Sequence, residues 1–279
     1  MPLRTLDAEL FCRSESLLGE GPFWHENRLY WVDILQSKLQ SCDATGQDCR
    51  AAVIPSHVGA AAPWQGGFIA GTQQGIGILT ADGAFNLLPA TPQLSSSMRF
   101  NDGKLDPVGR FWCGTMDYQA AAGAGALYRV ERNGAIAAVL DGITIANGLA
   151  WDDRAGRFYY IDTPTHRVDV FDFDLGAGTI ANRRTAFELP PEYGLPDGMA
   201  RDTAGRLWIA FWRGGQVIGF DPVHGEPACR IRVPTRLTSS CWIDNSTLYI
   251  TTARTELSAA ELRGEPLAGC VFRVQLPWP

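Results

Sequence analysis

Short aromatic and β-branched runs recur along the chain, each released by a turn. They read "NRLYWVD" from Asn27, "GGFIAGT" from Gly66, "GRFWCGT" from Gly109, "GRFYYID" from Gly156, "GRLWIAF" from Gly205 and "STLYITT" from Ser246. Start to start, the intervals are 39, 43, 47, 49 and 41 residues. The runs have strand composition and are bounded by Gly, Asp and Asn, which close hairpins. Proline keeps to their edges, at Pro22, Pro107 and Pro222, where no ladder hydrogen bond is lost. Helical periodicity is nearly missing. In "SAAELRG", Ser258 and Glu261 have the spacing of a capping box, which predicts one or two helical turns in a loop.

An all-β repeat of roughly 40 to 50 residues marks a propeller with one four-stranded blade per copy. Six copies consume the chain, so the expectation is a single six-bladed β-propeller domain over residues 1–279. Both ends read as strands, "AELFCR" from Ala8 and "GCVFRV" from Gly269. The last blade is then closed by both termini, which removes an exposed sheet edge.

A few residues upstream of each turn stands a head. The heads are Glu20 in "GEGPFW", a position near Val58 in "SHVGAA", Asn101 in "FNDGKLD", Asn147 in "ANGLAWD", Asp197 in "PDGMARD" and Ser239 in "TSSCWID". If the strand after each head is innermost, rotation about the channel brings Glu20, Asn101, Asn147 and Asp197 face to face. Burying acids without a counter-charge is costly, and no Lys or Arg stands at the heads. Asp, Glu and Asn oxygens are the usual ligands of a hard divalent cation. Two carboxylates balance its charge and leave room in the shell for water and substrate. Turn formation is the competing account of Asn-Gly and Asp-Gly. It covers Asp106, Asp152 and Asp202, each just ahead of a "GR", but leaves the glutamate of "GEGP" unexplained.

Composition narrows the classes further. Hydrophobic content of 46% supplies an ample core, which excludes a disordered chain. The charge of -6 is scattered without a basic stripe, which argues against nucleic acid or a membrane as partner. The N-terminal "MPLRTLDAELFCRSES" has neither a basic nor an apolar signal region, so a cytoplasmic location is expected. Seven cysteines lack any Cys-x-x-Cys pair, and small buried hydrophobes in a reducing compartment are their expected role. The four histidines show no H-E-x-x-H spacing, and no G-x-S-x-G elbow is present, which disfavours a metalloprotease and a serine hydrolase.

At the heads the chain resembles the regucalcin, senescence marker protein and gluconolactonase family. The resemblance is carried by "LLGEGPFW", "RFNDGKLDPVGRFWCGTM", "GALYRV", "ANGLAWD", "PDGMARDTAGRLWIAFW" and "TTAR…PLAGCVF", in order from Leu17 to Phe272. It implies a six-bladed propeller that hydrolyses a sugar 1,4- or 1,5-lactone to the aldonic acid with one divalent cation: calcium, zinc, magnesium, manganese or iron. By motif, it implies Glu20, Asn147 and Asp197 as metal ligands, and Arg99 and Asn101 as substrate-binding residues, with Asn101 close to the metal. Several animal members carry a glutamate shortly after "GTM". Here the segment reads "GTMDYQAAAGAGALY", so Asp117 and Gln119 are the candidate substitutes for contacting substrate, and the Ala/Gly run is read as a linker between strands.

Lactone hydrolysis needs a polarised carbonyl and an activated water, and Asp197 is the expected general base. A calcium-binding protein without turnover and a propeller scaffold for protein partners are the competing classes. The expected partner is a small sugar lactone, and the expected assembly a monomer or weak oligomer.

Overall fold

In the computed structural model, which describes residues 3–278, each repeat forms one antiparallel sheet with its strands in chain order. The blades span residues 19–53, 58–87, 98–143, 146–188, 195–232 and 238–275. Their first strands, Gly19–His25, Val58–Trp64, Met98–Leu105, Ala146–Asp152, Leu195–Arg201 and Thr238–Asp244, pack against one another around a common axis. The aromatic runs are the second strands. The fold is the six-bladed propeller that the repeat predicts.

Closure also follows the expectation. Glu9–Cys12 pairs antiparallel with Val271–Gln275 and completes the sixth blade from both ends of the chain. One strand was not foreseen: Arg4–Asp7 adds in parallel to Pro227–Arg232, so the fifth blade has five strands. The capping box forms as spaced. Ser258 Oγ accepts from the Glu261 N–H, the Glu261 carboxylate accepts from the Ser258 N–H, and the helix Ala259–Gly264 follows.

The core lies between blades. Trp112 of the third blade, fully buried, packs on Leu149, Phe158 and Tyr160 of the fourth. Burying a side chain of this size stabilises by about 1.5–3 kcal/mol. Asp106 ties this core to its turn: it accepts from the Arg110 N–H at 2.9 Å, from Arg110 Nε at 2.6 Å and from Trp112 Nε1 at 3.1 Å. Asp202 repeats the arrangement with Arg206 and Trp208. These aspartates therefore close turns, as expected, and also anchor a tryptophan. Asp152, whose repeat has Tyr159 in place of the tryptophan, instead pairs with Arg201 at 2.6 Å.

Every innermost strand carries a register shift at its head: Glu20/Phe23, Val58/Ala60, Phe100/Gly103, Asn147/Leu149, Pro196/Met199 and Thr238/Ser240. A bulge inserts a residue and re-aims its neighbours, so one backbone device sits at one level in all six blades. All seven cysteines are free; six are buried as expected, whereas Cys49 is exposed, with its Sγ 3.4 Å from that of Cys12. Among the described residues, no helix is long and apolar enough to cross a membrane.

Candidate active site at the propeller axis

Four of the six heads meet. Glu20, Asn101, Asn147 and Asp197, from the first, third, fourth and fifth blades, line one cavity of 390 Å³. The other two heads do not line it. Val58 is a buried apolar residue, and Ser239 donates its hydroxyl to the Gly19 carbonyl.

A chain of hydrogen bonds orders the amides. Arg99 Nη1 donates to Asn101 Oδ1, and Asn101 Nδ2 donates to Asn147 Oδ1 at 3.1 Å and to the Ala146 carbonyl at 2.8 Å. Asn147 Nδ2 then donates to Thr163 Oγ1, whose hydroxyl donates to the Pro196 carbonyl, both at 2.8 Å. An amide oxygen has two lone pairs and its nitrogen two donors. Both donors of Asn101 are thus committed, and Asn101 Oδ1 and Asn147 Oδ1 each accept one hydrogen bond and keep one lone pair.

The two carboxylates are buried, which disfavours their ionised forms. Burial, and next the neighbouring Asp102 carboxylate, push Glu20 from 4.5 up to about 8. Asp197 is held well above the ordinary carboxylate range by burial, then by Glu20 and Asp102. Gly21 N–H donates to Glu20 Oε2 at 2.9 Å, a partial offset.

Basic residues do reach the axis, contrary to the expectation from the heads alone. Arg99 is buried, and its Nε has no partner among the described residues. Burial lowers its pKa against the pull of Tyr118, Glu20 and Asp197. Lys104 stands beyond the heads, donating to the Met199 carbonyl at 2.6 Å with its ammonium 5.6 Å from the Trp242 ring. With Asp102 it lines a second axial cavity of 170 Å³. Asp102 accepts from the Gly103 N–H at 2.7 Å. Strict alternation along "RFNDGK" sends Asn101 and Asp102 to opposite faces. The bulge between Phe100 and Gly103 buries both at the axis, which is why the sequence reading missed Asp102 and Lys104.

Among the described residues, no three His, Cys, Asp or Glu side chains gather as a metal cluster. A cation here depends on the amide oxygen of Asn147 together with Glu20 and Asp197. That donor set fits a hard divalent ion: two carboxylates lacking enough counter-charge and an amide oxygen with a free lone pair.

The segment after "GTM" behaves differently from its expectation. Asp117 accepts from the Gln119 N–H at 2.7 Å, Gln119 is exposed, and neither lines the cavity. Tyr118, between them, does not line the cavity either but meets Arg99. Its ring lies 5.6 Å from the Arg99 guanidinium, and its hydroxyl shares a 2.6 Å hydrogen bond with His57 Nδ1. The Ala/Gly run is an exposed connection between Phe111–Asp117 and Gly125–Val130. Two further charged residues line the cavity without a sequence signal, Arg213 and Glu256, paired at 2.7 Å.

Residues 18–254 match the family described as the SMP-30/Gluconolactonase/LRE-like region. A protein of Bacillus subtilis (strain 168), whose name assigns it provisionally as sugar lactone lactonase YvrE, is 34% identical, over 97% of this chain and 95% of its own. Human regucalcin is 35% identical over 92% of this chain and 90% of its own. The crystal structure of a calcium-binding protein, regucalcin, from Agrobacterium tumefaciens str. C58 superposes with a TM-score of 0.90 at 25% identity, covering 98% of this chain and 95% of that one. The chain belongs to the SMP-30/gluconolactonase/LRE-like family.

Proposed function

We propose that this protein hydrolyses sugar lactones to aldonic acids in the axial cavity, with one divalent cation held by Glu20, Asn147 and Asp197. The observation that carries the reading is the meeting of these three side chains, from three blades, in one cavity that also holds Arg99. Membership of a family named for gluconolactonase, and the lactonase name of the Bacillus relative, support the substrate class. When bound, the cation supplies a Lewis acid for the lactone carbonyl and lowers the pKa of water.

The protein's own groups do the rest. Asp197 takes the proton of the attacking water as that water's oxygen bonds to the carbonyl carbon. The ring C–O bond breaks, and the same proton passes to the departing ring oxygen, leaving the aldonic acid. Arg99 donates to a ring hydroxyl or to the carboxylate that forms, steadied by Asn101 and by the Tyr118 ring. Leu18, Ile34, Ile145 and Trp212 line the cavity with apolar surface.

Rates across gluconolactone, xylonolactone, arabinolactone and galactonolactone, each with calcium, zinc, magnesium, manganese and iron, test the proposal. At least one pair should turn over in proportion to bound cation. Saturable cation binding without hydrolysis of any lactone would establish the other reading, a calcium-binding protein, which the description of the Agrobacterium relative favours.

A further inference from the structure

Apart from Glu20, Arg99 and Asp197, two charged residues line the axial cavity: Arg213 and Glu256. Arg213 belongs to the fifth blade, just after Leu207–Trp212, and Glu256 to the sixth, after Thr247–Thr252. Arg99 comes from the third blade, so in a six-fold ring the Glu256 wall stands opposite it. Arg213 Nη2 donates to Glu256 Oε2 at 2.7 Å, with the two side chains 63% and 47% exposed.

Ion pairs this open contribute little to stability, yet the backbone holds both in an unfavourable conformation. The φ angles are +62° at Arg213 and +60° at Glu256, in the left-handed region that non-glycine residues rarely adopt. Their surroundings enforce it. The turn after Arg213 runs so close to Tyr193 that a side chain at Gly214 would begin 2.0 Å from the Tyr193 carbonyl oxygen. The loop before Glu256 is pinned where the N–H groups of Arg254 and Thr255 both donate to the Leu17 carbonyl, at 3.1 and 2.9 Å. Two rigid loops from neighbouring blades thus hold one donor-only and one acceptor-only group side by side at the cavity.

We infer that the Arg213–Glu256 pair reads adjacent hydroxyls of a polyhydroxylated lactone, an inference that rests on the lactonase reading above. A guanidinium only donates and a carboxylate only accepts. Two neighbouring hydroxyls, each both donor and acceptor, satisfy such a pair together, and an unsubstituted ring does not. Asn101 has no free donor, and Asp117 and Gln119 lie outside the cavity. Besides Arg99, recognition of the ring hydroxyls therefore falls to the fifth and sixth blades instead of the segment after "GTM".

The test measures kcat and KM on gluconolactone and on δ-valerolactone, at saturating cation, for the wild type and for Arg213→Gln, Glu256→Gln and the double variant. In each variant the ratio of kcat/KM for gluconolactone over δ-valerolactone falls about tenfold, carried by KM, as for loss of a charged hydrogen bond. The double variant falls no further than the worse single. Arg213→Lys, which keeps a charged donor, recovers part of the ratio. A ratio that stays at the wild-type value in an active enzyme overturns this inference alone. A wild type that hydrolyses neither lactone overturns the lactonase reading and this inference with it.

Discussion

Asn101 Nδ2 donates to Asn147 Oδ1 at 3.1 Å, joining the third blade to the fourth between residues 46 positions apart in sequence. The bond leaves Asn101 as a support that turns the Asn147 oxygen toward the cavity. Groups that orient a metal ligand typically govern affinity by 10–100-fold. Asn101→Ala is expected to weaken divalent-cation binding by about tenfold or more, read by calorimetric titration. Unaltered affinity would mean that Asn147 needs no such support.

The buried acids give the metal-free protein a distinctive pH dependence. Glu20 moves from 4.5 to about 8 in the fold, and Asp197 moves in the same direction. A raised carboxylate pKa contributes stability that is full below the unfolded value and is lost as pH rises through the folded one. The unfolding temperature of metal-stripped protein should therefore fall between about pH 5 and about pH 9. A bound cation favours the ionised carboxylates and should remove most of that fall, adding about 2.7 kcal/mol at a hundredfold excess over Kd. A flat metal-free profile across this range would contradict the burial of these acids.

Asp106 and Asp152 occupy matching places in successive repeats but bear different loads. Asp106→Ala strips partners from Trp112 Nε1 and from Arg110, in a pair only 0% and 5% exposed. Loss of a buried partner of this kind costs about 3 kcal/mol. Asp152→Ala loses a more open pair with Arg201 and should cost about 1 kcal/mol. Denaturant unfolding of both variants compares them; equal losses would deny Asp106 its anchoring role.

Gly198 follows Asp197 where the innermost strands of the fifth and sixth blades crowd. A Cβ there would lie 2.0 Å from Ser240 Oγ and 2.8 Å from the Ser240 Cα. Gly198→Ala should destabilise by about 1–3 kcal/mol and displace Asp197, lowering lactone turnover more than stability alone accounts for. Wild-type turnover in this variant would mean that Asp197 tolerates a shift.

The repeat made the architecture legible, because each aromatic second strand is set off by a turn and returns at blade pitch. Glu20, Asn101, Asn147 and Asp197 were legible as a group because rotation maps one blade onto the next. Asp102 and Lys104 were hidden by a bulge, which breaks the two-residue alternation on which strand reading depends. Arg213 and Glu256 were hidden for another reason: they lie on loops of different blades, and no local pattern reports a contact between residues 43 positions apart. Arg4–Asp7 escaped notice because its pairing is parallel and wholly non-local.

The central claim, that Asp197 serves lactone hydrolysis at the propeller axis, is tested most directly by one comparison. Initial rates of hydrolysis of the preferred sugar lactone are measured for wild type and Asp197→Ala at cation concentrations that saturate each. Loss of the proposed ligand and general base should lower kcat by about a thousandfold, with the folded state verified by circular dichroism. Wild-type turnover by Asp197→Ala under saturating cation would contradict the account.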